Sequence, residues 1–149
     1  MLQEIILRKA RPEDCDRVYE WRNHPSVRQF SMDPSELGYD EHRDWFSVAL
    51  QDPQRILLIA SRGDEEVGVI RFDLNLDKEV ADVSIFVKPE KQRRGVGSLM
   101  IRAGEKWLKH EGLRIQKLRA TVSKDNRASL TLFGNAGYRP EFIILHKAI

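Results

Sequence analysis

Between residues 88 and 98 the chain reads Lys88-Pro89-Glu90-Lys91-Gln92-Arg93-Arg94-Gly95-Val96-Gly97-Ser98. Four of its cations, Lys88, Lys91, Arg93 and Arg94, crowd together in a chain whose 25 Lys and Arg nearly balance its 23 Asp and Glu. The stretch joins an apolar segment ending at Val87 to an amphipathic one, a strand running into a helix. Glycine lacks the Cβ that would hold an anion off the backbone, and a helix N-terminus adds about half a positive charge. The junction therefore suits a phosphate, and a diphosphate best. Met100 stands where a dinucleotide fingerprint needs its third glycine, and no Gly-Lys-Ser/Thr occurs, so the Rossmann and P-loop readings fall away. The plainer alternative is a basic surface turn whose glycines only allow close packing.

A second pattern runs from Asn126 to Tyr138. Taken alone, Asn126 is an ordinary helix cap and Gly137-Tyr138 an ordinary exit from a helix. The lone cysteine, Cys15, can form neither an intrachain disulfide nor a cysteine metal cage.

The elements that must position these groups follow from periodicity. Ile5-Ile6-Leu7 followed by Arg8-Lys9-Ala10 reads as a short strand and Pro12 opens a helix carrying Cys15, Val18, Tyr19 and Arg22 on one face; Asn23-His24-Pro25 stops it. Asp40 to Leu50 has helical spacing, and three strands follow over 56–60, 67–74 and 80–87 as an antiparallel meander. The strongest helix spans 95–110, with Val96, Leu99, Met100, Ala103 and Trp107 on one stripe and Gly112 as its cap. A strand over 117–122, a helix over 126–136 and a last strand over 142–145 complete an α/β mixed sheet with flanking helices. A length of 149 residues with 41% hydrophobic composition fits one domain over 1–149. The net charge of +2 argues against nucleic acid as partner. No apolar run approaches the roughly 20 residues that span a bilayer, and the start lacks the order of a signal peptide, so a cytoplasmic protein with no membrane partner is expected.

Together the two patterns resemble the GNAT family of N-acetyltransferases, marked by Q/R-x-x-G-x-G/A and, one helix and one strand later, N-x-x-S/A-x-x-x-Y/F-x-x-x-G-F/Y. Gln92, Gly95 and Gly97 match the first mark; Asn126, Ser129, Phe133, Gly137 and Tyr138 match the second. The resemblance implies a mostly antiparallel sheet with a splayed parallel pair, and acetyl transfer from acetyl-coenzyme A to an amine without a metal. It assigns the cofactor to Gln92, Arg93, Arg94, Gly95, Val96, Gly97 and Ser98 for the pyrophosphate, to Ile85, Phe86 and Val87 for the pantetheine, and to Asn126 and Phe133 on the later helix. Asp82 occupies the place of a strand carboxylate that deprotonates the amine. An unperturbed aspartate is a weak base for an ammonium, so burial or a water relay must assist it. Phe133 replaces a tyrosine that protonates the departing thiolate, and phenylalanine has no proton to give. The thiolate then leaves toward solvent, or water or another side chain acts as acid.

The acceptor falls to the N-terminal half. Trp21-Arg22-Asn23-His24-Pro25 and the later His42 and Trp45 resemble the branch that includes nucleotide-sugar amine acetyltransferases of the pseudaminic acid pathway and ribosomal-protein N-terminal acetyltransferases. A nucleotide-sugar acceptor wants cations for phosphate, an aromatic face for a base and hydrogen-bonding groups for hydroxyls. Arg22, Asn23, His24, Arg28, His42 and Trp45 are the candidates, in a monomer or homodimer. The rival readings are a protein N-terminal acetyltransferase and a non-catalytic acyl-coenzyme A-binding domain, the latter favoured by Phe133.

Overall fold

A computed structural model describes residues 4–92 and 94–149. The elements are β1 (Ile5–Lys9), α1 (Cys15–Asn23), α2 (Pro25–Arg28), α3 (Tyr39–Gln51), β2 (Arg55–Arg62), β3 (Glu65–Asn75), β4 (Val80–Val87), α4 (Val96–His110), β5 (Lys117–Arg119) and α5 (Arg127–Asn135). The strands lie in chain order, β1-β2-β3-β4-β5. The first three pairings are antiparallel: short turns join β2 to β3 and β3 to β4, while β1 reaches β2 through α1, α2 and α3; β4–β5, joined through α4, is parallel. His24, with an extended backbone at φ −65° and ψ 134°, ends α1 before Pro25, as the proline requires.

Alternation along the strands divides the molecule into layers. Leu58, Ile70, Phe72, Ala81 and Val83 face α4 and α5, where Ile101, Leu108 and Phe133 close the core. Leu57, Ile59 and Val69 face the other way, against Val18 and Trp21 of α1 and Phe46 and Ala49 of α3. Each such side chain removed from water contributes about 1.5–3 kcal/mol. The buried stripe of α4 is Val96, Met100, Ile101, Gly104 and Leu108, rotated from the stripe that periodicity suggests. Gly104 is the reason: a Cβ there would lie 2.4 Å from Ile70 Cδ1 and 3.2 Å from Phe72 Cζ, so the helix presses its bare backbone onto β3.

Two further expectations are corrected. The strand over 117–122 is only Lys117–Arg119. The segment 142–145 forms no strand, and its Phe142, Ile143, Ile144 and Leu145 stand 73–89% exposed. Strand composition is not enough where no neighbouring ladder receives it; an ion pair from Glu141 to Lys117 tethers the start of this segment to β5.

Candidate active site

β4 and β5 pair only through Val80–Asp82 against Lys117–Arg119. From Val83 to Val87 the outer edge of β4 has no strand beside it among the described residues. Phe86 O lies toward Gly68 of β3 and Lys88 N donates to Val67 O at 2.7 Å, so alternation turns the N–H and C=O of Ile85 and Val87 outward, toward an extended partner. Gln92 Nε2 donates to Val87 O at 3.3 Å and ties the strand's end to the turn that follows. α4 then starts from Gly95, which adopts the left-handed φ of 75° and leaves the helix without a side-chain cap. The first-turn amides at Val96, Gly97 and Ser98 are thus available to an anion. Lys91, Arg94 and Val96 line a cavity of about 410 Å³ with Arg62, Asp64, Glu65 and Val67. Lys91 is ion-paired to Glu65, and Lys88 to Glu90 at 3.3 Å. Arg93, also expected here, lies outside the described residues. An extended thiol arm along β4 with a diphosphate at α4 fits these residues.

The two glycines have different reasons. Nothing lies within 4 Å of a Cβ built on Gly95, where the positive φ alone selects glycine, whereas one on Gly97 would lie 3.0 Å from Leu132 of α5. Gly97 serves the approach of α4 to α5, which is the plainer reading above.

On α5, Asn126 Oδ1 accepts from Ser129 N at 3.1 Å and caps the helix. Phe133, expected at the cofactor, is a core residue, 6% exposed, edge-on to Tyr138 with ring centroids 5.0 Å apart. An aromatic ring without a hydroxyl gains more from the apolar interior than from a polar crevice. Tyr138 donates to Glu105 Oε1 at 2.9 Å, and burial with that bond pushes its phenol well above the ordinary range. It ties the exit of α5 to α4.

The face turned toward α1 and α3 carries the polar groups. Register places Asp73 beside Asp82, and Asp82 beside Arg119; Arg71 stands beside Ser84. Arg119 donates to both oxygens of Asp82, at 2.7 and 3.0 Å, which orients the carboxylate and leaves each oxygen a further lone pair. Arg71 Nη2 lies 3.1 Å from Asp73 Oδ2, while Arg71 Nε and Asp73 Oδ1 are buried atoms without a hydrogen-bond partner. The Trp45 ring is approached by Arg22 at 4.5 Å and Arg71 at 5.5 Å.

Of the expected acceptor residues, Arg22 and Trp45 reach this face. His42 does not: it is 1% exposed, Nε2 donates to Cys15 O at 3.0 Å, and Nδ1 accepts from Arg22 Nη1 at 3.0 Å. Burial pushes its pKa down, so the ring is neutral and orients Arg22 from behind. The other three shape the connection to α3. Asn23 Oδ1 accepts from Leu37 N at 2.8 Å, and His24 Nδ1 caps α2 by accepting from Ser26 N at 3.1 Å. Arg28 donates from Nε to Asn23 O at 3.1 Å and from Nη1 to Pro34 O at 3.0 Å, and its Nη2 lies 3.9 Å from Glu36 Oε1. Arg71, Asp73 and Arg119 were missed, although charges at alternate positions of the otherwise apolar β3 were the available signal.

The sequence model of the acetyltransferase (GNAT) domain family matches residues 4–139. Acetyltransferase PseH of Campylobacter jejuni is 28% identical over 121 residues, covering 81% of this chain and 74% of that protein. Spermidine N-acetyltransferase from Vibrio cholerae, solved with CoA and spermine, has a TM-score of 0.85 at 17% identity over 98% of this chain and 87% of that one. RimL, a ribosomal-protein alpha-N-acetyltransferase solved with coenzyme A, has a TM-score of 0.76 at 16% identity over 89% of this chain and 78% of that one.

Proposed function

Because the chain belongs to the acetyltransferase (GNAT) family, we propose that it moves an acetyl group from acetyl-coenzyme A to a primary amine, borne by a sugar linked to a nucleoside diphosphate. The observation that carries the transfer is the open edge of β4 from Val83 to Val87 leading to the uncapped start of α4. In this reading the pantetheine pairs along that edge, and the first-turn amides of α4 with Arg94 meet the pyrophosphate. The amine's lone pair attacks the thioester carbonyl carbon, the C–S bond breaks, and the nitrogen sheds its extra proton as the thiolate becomes a thiol. Core burial of Phe133 leaves that last proton to water.

The sugar-nucleotide part rests on the relative PseH and on the two guanidinium groups, Arg22 and Arg71, that approach the Trp45 ring. An indole flanked by guanidinium groups suits a base and its phosphates. Acetyl-coenzyme A and nucleotide sugars share the cytoplasm, and no helix among the described residues is long and apolar enough to cross a membrane. Thiol release with UDP-glucosamine, spermidine and a peptide with a free N-terminus, each product weighed by mass spectrometry, tests the reading. The nucleotide-linked amine should be acetylated with a kcat/KM at least about tenfold above the others, a difference of about 1.4 kcal/mol. Turnover of the peptide alone replaces the sugar by a protein N-terminus; binding of acetyl-coenzyme A with no turnover of any amine points to a non-catalytic domain.

A further inference from the structure

Across the sheet one row of side chains reads Arg55, Asp73, Asp82, Arg119 on β2, β3, β4 and β5. Carboxylates directly opposite one another repel, so each needs its own compensation. Asp82 has it twice over from Arg119. Asp73 has it once: Oδ2 meets Arg71, Arg55 turns instead to Asp52 at 3.6 Å, and Oδ1 is buried without a donor. On the same face, two positions along β3, Arg71 Nε is buried without an acceptor. The side chains as a whole are 29% and 34% exposed, so a small polar group that displaces their outer atoms meets the two buried ones.

An orphaned anionic acceptor atom beside an orphaned donor describes the complement of a ligand in which an amine neighbours an oxygen. We propose that Asp73 Oδ1 receives the ammonium of the acetyl acceptor and that Arg71 Nε donates to a hydroxyl or ether oxygen adjacent to that amine, as on an amino sugar. The assignment rests on the acetyl-transfer reading and makes Asp73, in place of Asp82, the base. The ammonium gives one proton to Asp73 Oδ1, which frees the lone pair that forms the new N–C bond. The second proton leaves nitrogen as the C–S bond breaks and balances the thiolate, and Asp73 returns its proton to solvent. The charged groups around Asp73 are Arg71 on its own strand, Arg55 from β2, Asp82 from β4, Arg119 beyond it on β5, and Arg22 of α1 beside Arg71.

The test uses UDP-glucosamine, or whichever amine of the panel the parent acetylates fastest, and cyclohexylamine, which has no oxygen. Asp73→Asn should lower kcat/KM for the amine about 100-fold or more and abolish the acidic limb of its pH profile, with KM for acetyl-coenzyme A unchanged. Asp73→Glu should restore the limb, and Asp82→Asn should keep it. Arg71→Lys should erase the preference for the amino sugar over cyclohexylamine. A parent-like pH profile in Asp73→Asn overturns the assignment, as does a loss shared equally by both substrates' KM values, which marks a merely structural ion pair. A parent that acetylates no amine overturns the transfer reading itself, and the assignment with it.

Discussion

Gly68→Ala is expected to lose both stability and acetyl-coenzyme A binding, although it adds a single methyl group. Gly68 lies on β3 opposite Val87, and a Cβ there would lie 2.4 Å from the carbonyl oxygen of Phe86 and 2.9 Å from Met100 Cε. Met100 can give way, but the carbonyl belongs to the backbone of the facing strand and cannot move without moving β4. Overpacking of this kind costs about 1–3 kcal/mol, and a contact with main chain belongs at the upper end. The displaced peptides are those of Phe86 and Val87, on the open edge itself, so the dissociation constant for acetyl-coenzyme A should rise about tenfold or more. Urea unfolding and calorimetry read the two effects. A variant with the parent's stability and affinity would mean that the close approach of β3 to β4 does not shape the crevice.

The second large effect is expected at Asp14, 2% exposed at the entry to α1. It accepts two bonds from Arg8 at 2.8 Å and one from Arg11 N at 2.8 Å, and pairs with Arg17 as well. The carboxylate thereby pins β1 to the first helix. Breaking a buried pair by removing one partner costs about 3–5 kcal/mol. Arg8 and Arg17 stay 32% and 47% exposed and keep Glu66, so the lower end of that range is expected for Asp14→Ala. Hydrogen bonding to Arg8 above all holds the carboxyl below the ordinary aspartate range. Its stabilisation is complete above about pH 4 and fades as pH falls through the depressed folded value. The gap between parent and Asp14→Ala in thermal unfolding should therefore narrow in acid; a gap that widens would contradict the assignment.

Much of this was legible in the residues. Apolar runs between short polar turns mark the meander from Arg55 to Val87, and Gln92, Gly95 and Gly97 mark the strand-to-helix junction. Local patterns carry local structure. What they could not carry was pairing: which residues of β3 face which of β4 is set by register, so the meeting of Asp73 with Asp82 and of Asp82 with Arg119 had no local signal. The same limit explains His42, whose sequence neighbours say nothing of Cys15 O and Arg22 closing around it. It also explains the segment 142–145, whose composition suits a strand but which no partner strand receives.

The central claim is that the open edge of β4 and the start of α4 together hold acetyl-coenzyme A. Amide hydrogen exchange of the protein with and without acetyl-coenzyme A tests it residue by residue, independently of turnover. The account predicts slowed exchange at outward amides between Val83 and Val87 and at Val96, Gly97 and Ser98, with α1 and α3 unchanged. Protection confined to α1 and α3, or saturating binding that leaves both of those segments exchanging as in the free protein, would contradict it.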